Sequence, residues 1–396
     1  MRLSKQLFQD RLTVPDNWRD LDTYKLFEEC GFVEFPYSGF PLFLPIGKRV
    51  MESICGIIRK EAETSGFNEV YLPLVQSRSF LESTGRADLF GNEFMELKDG
   101  LDGYILSPTN EEIFLDLAQR GLSSYRQLPV KIYQIAEKFR NIKKAKGILR
   151  SRQFLMCDMV SMDETEQSLR ESASLFERLV DSVFSRMKLS PLRVEKNDGK
   201  YVDYLIQCKE GETSISVDSE GKAHYAGDDD RGITKGSSVA MYFIFEQIGS
   251  QNPTYQSDRG TRKEIYLGTY GFGIQRCFHA AVEIYKDHLG INFPDSIRPF
   301  DVSIVVMNPD DGEQMARSIN YYNSLSGDGR KVMLDDRHGK TLKEKAEFAD
   351  FYGVPVKLVI GRKEIETGSV TIKKRGDRQG ELINFNQQSV GVYING

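Results

Sequence analysis

The sequence predicts two domains that mix strands and helices, with residues 1–293 in the larger domain and residues 300–396 in the smaller one. The length of 396 residues and the 40% hydrophobic content support this division, because such a chain can bury one large and one smaller core. The pattern of apolar segments also changes near residue 293, where short apolar strands begin to alternate with helices. We therefore expect a linker at residues 294–299, which begin and end with prolines.

Composition narrows the class of protein. No apolar run approaches the roughly 18 residues needed to cross a bilayer, and the first residues lack the apolar core of a signal peptide. A cytoplasmic protein without membrane contacts is therefore expected. Five scattered cysteines, none in a CxxC pair, predict reduced thiols and argue against disulfides and a structural zinc site. The net charge of −5 gives no overall attraction to nucleic acid, so a polyanion requires a local basic patch.

Two elements are predicted before residue 80. Residues 46–66 place apolar side chains at helical spacing and end in Gly66, which predicts a helix with a left-handed glycine terminator. The segment NEVYLPLV, residues 68–75, predicts a strand. Proline cannot donate to a strand ladder, so Pro73 requires an edge position or a bulge.

Residues 102–121 predict a strand, a turn and then a helix that begins at Glu111. Thr109 or Asn110 is the predicted N-cap, since hydroxyl and amide side chains accept bonds from the first helical N–H groups. The turn SPTNEE also places a hydroxyl and carboxylates at one strand end, where they could hold the ammonium group of a ligand. A simple helix cap is the alternative.

The segment KFRNIKKAKGILRSRQF, residues 138–154, carries seven Lys or Arg residues and no acid. Gly147 lies between two alternating stretches, which predicts a β-hairpin with a basic tip. Arginines in the arms of such a hairpin suit bidentate contacts with phosphate or carboxylate. The alternative is a solvated charged hairpin whose lysines protect a sheet edge.

Two helices and a strand-rich region follow the hairpin. Residues 164–188 predict an amphipathic helix and residues 190–263 predict strands and loops. In YLGTYGFGIQRCFHAAVE, residues 266–283, glycines precede a helix with Arg276 near its start. Such an arginine adds to the positive end of the helix and favours an anion. Tight strand-to-helix packing is the alternative reason for the glycines.

In the smaller domain, the apolar stretches DVSIVVMN, KVMLDD and VPVKLVIG are separated by helical segments, and GSVTIKKR follows. This βαβαβ order predicts a parallel or mixed sheet covered by helices.

In this order the segments resemble the class II aminoacyl-tRNA synthetases, and in particular the prolyl-tRNA synthetase family. The similarity extends over nearly the whole chain through MRLSK, FLPIGKRV, EVYLPLVQ, SPTNEEIF, SSYRQLPVKIYQIAEKFR, GILRSRQFLM, GTYGFGIQR and VMLDDR with FADFYGVPVKLVIGRK. The resemblance implies an α+β catalytic domain, an antiparallel sheet flanked by helices, followed by a smaller α/β anticodon-binding domain. It also implies a homodimer that uses ATP and Mg²⁺, an amino acid and tRNA.

The resemblance implies roles for individual residues. Arg140, the first arginine of motif 2, would bind the ATP α-phosphate and the amino acid carboxylate, and Arg276 of motif 3 would hold the γ-phosphate. Thr109 and Glu111 would hold the imino group of proline, with Thr269 close to them. Three lysines at the hairpin tip would meet the acceptor stem of tRNA: Lys143, Lys144 and Lys146.

Further residues follow from the same resemblance. Arg152 is an expected ATP contact, and Glu246 is an expected Mg²⁺ or ATP ligand. The expected anticodon contacts are Asp335, Arg337 and Lys345. The chain also departs from the family pattern, because Ile142 stands where motif 2 usually has a glutamate that contacts adenine. The segment MYFIFEQIGSQ, residues 241–251, likewise replaces one that carries a pocket histidine.

Three hypotheses of function follow. The first is a compact proline–tRNA ligase without an editing domain, which forms prolyl-adenylate and charges tRNA(Pro). The second is a paralogue with the same adenylation core that acts on another amino acid or another acceptor. The third is a non-catalytic protein that binds tRNA or a partner. The retained arginines favour an enzyme, whereas the altered segments keep the second hypothesis open.

Overall fold

The computed structural model describes residues 1–8, 12–196, 199–227, 230, 232–245, 252–385 and 387–395. The α-helices in this part of the chain are α1 (Thr23–Glu29), α2 (Pro45–Thr64), α3 (Arg78–Ser83), α4 (Ala87–Phe90), α5 (Glu111–Gly121), α6 (Glu166–Arg186), α7 (Ile274–Tyr285), α8 (Gly312–Gly327), α9 (Leu342–Phe351), α10 (Arg362–Thr367) and α11 (Gln387–Asn395). None of these described helices has both the length and the apolar character needed to cross a membrane.

The strands alternate with these helices along the described chain. They are β1 (Val33–Tyr37), β2 (Phe40–Phe43), β3 (Asn68–Glu69), β4 (Val75–Ser77), β5 (Met95–Glu96), β6 (Tyr104–Leu106), β7 (Val130–Phe139), β8 (Gln153–Asp163), β9 (Leu192–Lys196), β10 (Tyr201–Gln207), β11 (Thr213–Val217), β12 (Ala223–Tyr225), β13 (Thr234–Phe245), β14 (Thr254–Gln256), β15 (Arg262–Glu264), β16 (Tyr266–Gly273), β17 (Val302–Val306), β18 (Val332–Asp335), β19 (Val356–Ile360), β20 (Val370–Lys374) and β21 (Glu381–Ile383).

Backbone contacts divide the chain into two compact units. The larger unit combines Phe35–Leu42 with Ile54–Ala280, and the smaller unit combines Met1–Glu34, Phe43–Ser53 and Ala281–Gly396. The N-terminal residues thus belong to the same unit as the C-terminal ones. The domain limits drawn from the sequence, 1–293 and 300–396, remain a prediction.

The larger unit is built on a sheet whose described strands follow the order β12-β11-β13-β16-β8-β7-β3, with β10 beside β13 and β9 beside β10. The pairs in its centre, β13 with β16, β16 with β8 and β8 with β7, are antiparallel. The antiparallel sheet implied by the resemblance is therefore confirmed.

The basic segment lies at the end of a hairpin, but most of it, including the arginines predicted in the strand arms, forms the connection between the two strands. Strands β7 and β8 pair from Val130 and Met162 to Phe139 and Gln153. Gly147 has φ +51° in the connection, beside an isolated bridge between Lys146 and Arg150. A positive φ is costly for residues with a Cβ, which explains a glycine at this turn.

Helix α6 covers one face of the sheet, as its periodicity predicts. It begins after Thr165, whose hydroxyl accepts a bond from the Ser168 N–H at 3.1 Å. The fully buried ring of Phe176 packs 4.8 Å from the ring of Tyr270 and 5.4 Å from that of Phe272, both on β16. This contact joins the helix to the strand that leads into α7.

The strand predicted over residues 68–75 is wrong in its extent. Within this segment, only β3 and the first residue of β4 pair as strands. The chain between them, which contains Pro73, bonds to a side chain instead. The Leu72 N–H donates to Gln134 Oε1 at 2.8 Å, and Gln134 Nε2 donates to the Leu72 carbonyl at 3.2 Å. The buried amide of Gln134 thus satisfies a backbone that cannot continue the sheet.

The smaller unit contains the predicted mixed sheet. Its described strands follow the order β18-β17-β19-β20-β21, with β17 parallel to β18 and β19, and β20 antiparallel to β19. The N-terminal residues join this unit, because the Met1 amine donates to the Val332 carbonyl at 2.6 Å and Arg2 pairs with Asp336. Burial lowers the pKa of the Met1 amine to about 5, and Arg49 contributes to this shift.

Candidate functional site

A cavity of about 320 Å³ lies on the large sheet of the larger unit. Its floor comes from the adjacent strands β8, β13 and β16, and its walls come from the β7–β8 connection and the start of α7. The volume falls within the range of small-molecule sites. Its charged lining residues are Glu93, Arg140, Arg150, Glu212 and Arg276, and its apolar ones include Ile142, Ile148, Leu149, Phe154 and Met156.

Glycines of β16 keep the floor of the cavity open. A Cβ on Gly271 would lie 3.0 Å from Met156 Cε, and a Cβ on Gly273 would lie 3.3 Å from Arg276 Cδ. Both contacts are tighter than side chains normally tolerate, so glycine makes room for the two neighbours. These glycines lie within a strand, which excludes a phosphate loop and favours the packing explanation for their spacing.

Arg140 follows the last residue of β7 and lies against two aromatic rings at the cavity. Its guanidinium carbon is 5.4 Å from the ring centre of Phe90 and 5.2 Å from that of Phe154. Its Nε donates to the Pro108 carbonyl at 3.1 Å. Burial lowers the pKa of Arg140, while Glu111 and Asp158 oppose the shift. The side chain remains a cation with a fixed position.

Arg276 reaches the same cavity from the first turn of α7. Its Nη1 donates to the Ser238 carbonyl at 3.3 Å, and its Nη2 donates to Glu212 Oε2 at 3.0 Å. The other oxygen of Glu212 accepts from Arg150 Nη1 at 3.3 Å. One carboxylate therefore bridges two arginines that line the cavity, in a position where an anionic ligand could replace it.

The turn before α5 contacts Arg140 through the Pro108 carbonyl. Thr109 is buried, and its carbonyl accepts a bond from Gln76 Nε2 at 2.8 Å. Asn110 is the residue at the N-cap position, but its buried side chain makes no capping bond. Glu111 pairs with Arg86 at 3.4 Å. Burial alone would raise the pKa of Glu111, but Arg86 and Arg140 overcome it, and the pKa lies below its usual value.

The other residues predicted for the ligand site differ in where their side chains lie. Thr269 is buried on β16, two and four residues from the cavity glycines, and its alternation in the strand places it on their face of the sheet. Arg152 is directed elsewhere, because its Nη1 donates to the Ser38 carbonyl at 2.6 Å. Glu246 lies outside the described residues.

The hairpin lysines differ in exposure. Lys143 and Lys144 are exposed, as a tip that meets a nucleic acid requires. Lys146 is half-buried, and its ammonium donates to the Glu210 carbonyl at 3.0 Å. The structure therefore brings only the first two lysines fully to the surface.

The residues predicted for the anticodon are buried within the smaller unit. Arg337 donates from Nε and Nη2 to the two oxygens of Asp335, at 2.8 and 2.6 Å, and its guanidinium lies 4.2 Å from the ring centre of Phe348. Lys345 donates to the Val306 carbonyl at 2.7 Å, and burial lowers its pKa. These contacts direct the three side chains into the unit, so their role in anticodon binding remains a prediction.

Two residues of the site were missed in the sequence. Arg86 follows a glycine in a short connection and carries no motif of its own, and Glu212 lies in a loop of the strand-rich region. Both are identified only by their partners, Glu111 and Arg276. A lone charged residue in a loop is usually a solvated surface group, so spacing offered no signal for either one.

Family models match both parts of the chain. Residues 94–285 match the class II tRNA synthetase core domain (G, H, P, S and T), and residues 301–389 match an anticodon-binding domain. The proline–tRNA ligase of Methylobacterium radiotolerans is 28% identical and that of Bartonella quintana is 29% identical. The first alignment covers 97% of each chain, and the second covers 95% of this chain and 96% of its relative.

Solved structures show the same fold. The prolyl-tRNA synthetase of Giardia lamblia, in complex with prolyl-adenylate, aligns with a TM-score of 0.75 at 20% identity, over 95% of this chain and 76% of that one. The Cryptosporidium parvum enzyme, in complex with proline and AMP, aligns with a TM-score of 0.74 at 16% identity, over 97% and 78% of the two chains. At these identities the likeness establishes the fold.

Fold and family models together define a class II aminoacyl-tRNA synthetase, with a catalytic core and an anticodon-binding domain. Within that class the relatives that the chain matches over nearly its whole length are proline–tRNA ligases. The resemblance drawn from the sequence motifs is thus confirmed.

Proposed function

We propose that this protein is a proline–tRNA ligase, which activates proline with ATP and transfers the prolyl group to tRNA(Pro). The observation that carries the proposal is that Arg140, directly after β7, and Arg276, on α7, line one cavity next to the Thr109–Glu111 turn. Similarity to curated proline–tRNA ligases over nearly the full length supports it, as does the fold shared with an enzyme that binds prolyl-adenylate.

In the activation step, a carboxylate oxygen of proline attacks the α-phosphorus of ATP and the bond to pyrophosphate breaks. Arg140 holds the α-phosphate and the attacking carboxylate, which would otherwise repel each other. Arg276 holds the γ-phosphate and so stabilises the pyrophosphate, which gains negative charge as it leaves. Cations that are fixed before the reaction stabilise this charge without reorganising.

The rest of the cavity is proposed to hold the nucleoside. Phe154 offers an aromatic face, and Ile142, Ile148 and Leu149 supply an apolar wall of a size that suits a purine base. Arg152 is also proposed to contact ATP. To do so, its guanidinium has to break its hydrogen bond to the Ser38 carbonyl.

The amino acid is proposed to lie between Arg140 and the Thr109–Glu111 turn. Glu111 is ionised and accepts hydrogen bonds from the cationic imino group, while the Thr109 hydroxyl lies beside it. Thr269 is proposed to contact the ring from the cavity face of β16.

Magnesium is proposed to enter with ATP as part of the substrate. Carboxylate oxygens are the ligands that Mg²⁺ prefers, and Glu93 supplies them at the cavity wall. When bound, the cation would neutralise phosphate charge. Glu246 remains a further candidate ligand outside the described residues.

In the transfer step, a ribose hydroxyl at the 3′ end of tRNA attacks the carbonyl carbon of prolyl-adenylate and AMP leaves. The exposed lysines Lys143 and Lys144 at the hairpin tip are proposed to contact phosphates of the acceptor stem. The anticodon-binding domain is proposed to recognise the other end of tRNA(Pro).

A homodimer and a cytoplasmic location complete the proposal. Strand β3 is the last described strand at one edge of the large sheet, and Tyr71 near it is 86% exposed. An exposed aromatic ring beside a sheet edge is typical of an interface with a second copy. Sedimentation of the protein and of Tyr71→Asp tests this proposal, with a shift to monomer expected for the variant. The cytoplasm is where a tRNA-charging enzyme meets its substrates.

The decisive experiment is amino-acid-dependent exchange of ATP and pyrophosphate with all twenty amino acids. Exchange confined to proline, together with prolylation of tRNA, is the expected result. Silence from folded protein with all twenty amino acids would overturn the enzymatic proposal.

One observation favours a second candidate, a paralogue that activates another amino acid or uses another acceptor. Ile142 stands at the motif 2 position that usually holds a glutamate, and it is buried in the cavity wall without a group that can bond to adenine. Exchange with a different amino acid in the same experiment would establish this candidate.

A further inference from the structure

Arg86 lies between helices α3 and α4, and its backbone position is fixed. Gly85 has φ +71° and ends α3: its N–H donates to the Glu82 carbonyl at 3.1 Å, and the Arg86 N–H donates to the Leu81 carbonyl at 3.0 Å. This bond pair is the Schellman motif, which needs a residue in the left-handed conformation. The backbone direction after Gly85 is therefore fixed, and the side chain of Arg86 lies against the start of α5.

The guanidinium of Arg86 bridges the first two residues of α5. Its Nη2 lies 3.4 Å from Glu111 Oε1, and its Nη1 lies 3.3 Å from Glu112 Oε1. The side chain of Glu112 is 1% exposed and that of Arg86 is 19% exposed. The Thr84 hydroxyl also donates to Glu112 Oε1 at 3.3 Å. Two adjacent carboxyl groups thus share one cation with little access to water.

The pKa values of the two carboxyl groups shift in opposite directions. Burial raises the pKa of Glu112, and the charge of Glu111 adds to this shift, although Arg86 opposes it. Burial would raise the pKa of Glu111, but the pKa is lowered because Arg86, a hydrogen bond from the backbone of Glu111 and then Arg140 outweigh burial. Burial would lower the pKa of Arg86, but Glu111 and Glu112 raise it above its usual value. Arg86 therefore favours the anionic form of Glu111 over that of Glu112, since two carboxylates in a dry site repel.

The other charged groups near Glu111 do not replace Arg86. Arg140 is stacked between Phe90 and Phe154 and is the group proposed to bind the substrate carboxylate and phosphate. Asp158 carries a carboxyl that burial shifts to a higher pKa, and it lies 2.8 Å from the buried ammonium of Lys138. Arg86 is therefore the cation placed to act on Glu111 while the substrate occupies Arg140.

We infer that Arg86 is a positioning residue for amino acid binding: it orients the Glu111 carboxylate and keeps it anionic to receive the substrate's cationic amino group, while Glu112 holds the other side of the guanidinium. This inference rests on the proposed function, in which Glu111 binds that group. The substrate class it implies is any amino acid with a protonated α-amino or imino nitrogen.

The test is the steady-state exchange of ATP and pyrophosphate as a function of pH. Arg86→Gln should raise the KM for proline at pH 7.5 at least tenfold and change the KM for ATP less than threefold. Without Arg86, burial dominates and the pKa of Glu111 rises. The loss of kcat/KM for proline on acidification should therefore begin at a higher pH than in the wild type, whereas a purely structural role would leave this profile in place.

Matched variants test the roles of Arg86, Glu111 and Glu112 separately. Arg78→Gln is the control, because Arg78 of α3 is an exposed arginine that pairs with Glu82 and Glu96 away from the site. Glu111→Gln should lose at least a hundredfold in kcat/KM for proline, whereas Glu112→Gln should lose less than threefold because Glu112 contacts Arg86 and Thr84 and does not line the cavity. Equal losses for Glu111→Gln and Glu112→Gln would overturn the assignment of the two carboxyl groups.

Arg86→Lys decides the matter if Arg86→Gln does not fold, which thermal unfolding will show. A lysine keeps the charge but cannot bridge two carboxyl groups, so a threefold to tenfold rise in the KM for proline is expected. If the folded variant has the wild-type KM for proline and loses kcat/KM at the same acidic pH as the wild type, the inference is overturned. If the wild type is silent with proline, the proposed function fails instead. If it is active with another amino acid, the same variants are measured with that substrate.

Discussion

The two units each hold a cluster of arginine and acidic side chains, in opposite settings. In the larger unit, the site cluster (Arg86, Glu111 and Arg140) lies at or next to a cavity, and Arg140 is held by aromatic rings. In the smaller unit, Arg337 is bonded to both oxygens of buried Asp335. A guanidinium that is paired inside a unit stabilises the fold, whereas one held beside an open cavity can bind an anion.

The largest effect should come from Arg140 in the site cluster. Arg140→Ala should lower kcat/KM for ATP–pyrophosphate exchange by about 10³-fold, because a fixed cation that stabilises transition-state charge is lost. Arg140→Lys should recover only part of this, since an ammonium cannot form the bidentate contacts. Arg120→Ala, at an exposed arginine of α5 that pairs with Asp116, is the control. Activity of Arg140→Ala within tenfold of wild type would contradict the assignment.

Replacing Arg337 should affect stability instead. Arg337→Ala leaves Asp335 buried without its partner, which is expected to lower the free energy of unfolding by about 3–5 kcal/mol. Urea unfolding measures this change, and exchange activity of the folded protein should stay within twofold. The double variant Asp335→Ala/Arg337→Ala should cost less than the sum of the single variants. If Arg337→Ala instead has native stability and loses only tRNA charging, Arg337 contacts the anticodon. The two clusters would then not differ in the way described.

The hairpin tip should show an intermediate effect that depends on salt. Replacing Lys143 and Lys144 together by alanine should raise the KM for tRNA by about tenfold near physiological salt and lower the salt slope of binding by about one to two. Exchange without tRNA should stay within twofold. Lys222→Ala, at an exposed turn between β11 and β12, is the control. An unchanged KM and slope for the double variant would remove the tip from the tRNA interface.

The smallest effect should come from Glu212, which bridges Arg276 and Arg150 at the cavity. Glu212→Gln removes the anion that competes with ATP for these arginines, so the KM for ATP should fall. The groups are partly exposed, and pairs of this kind contribute up to about 1 kcal/mol, so a decrease of at most about fivefold is expected. A rise in the KM for ATP, reversed by excess Mg²⁺, would instead identify Glu212 as a ligand of the cation.

The elements that the sequence predicts well are those fixed by local pattern. The helix at α6, the hairpin around Gly147 and the βαβαβ order of the smaller unit all match the structure. The strand over residues 68–75 fails at Pro73, where the segment pairs with the side chain of Gln134 from a distant part of the chain. No local pattern encodes such a partner.

Candidate residues divide in the same way. Arg140 and Arg276 are identified by motif, and both line the cavity. Arg86 carries no motif, and its importance follows only from the two carboxyl groups it bridges. Asp335 and Arg337 are expected to contact the anticodon from the family resemblance, but both are buried. Charge alone does not distinguish these cases.

The sequence by itself determined the class of protein, the order of its elements and the residues that carry its motifs, because periodicity, turn residues and motif spacing are local properties. The tertiary structure decided which charges face a cavity, which face each other and which are exposed. It did so because pairing, burial and pKa depend on groups that folding brings together from distant positions, as Arg86 and Glu111 show.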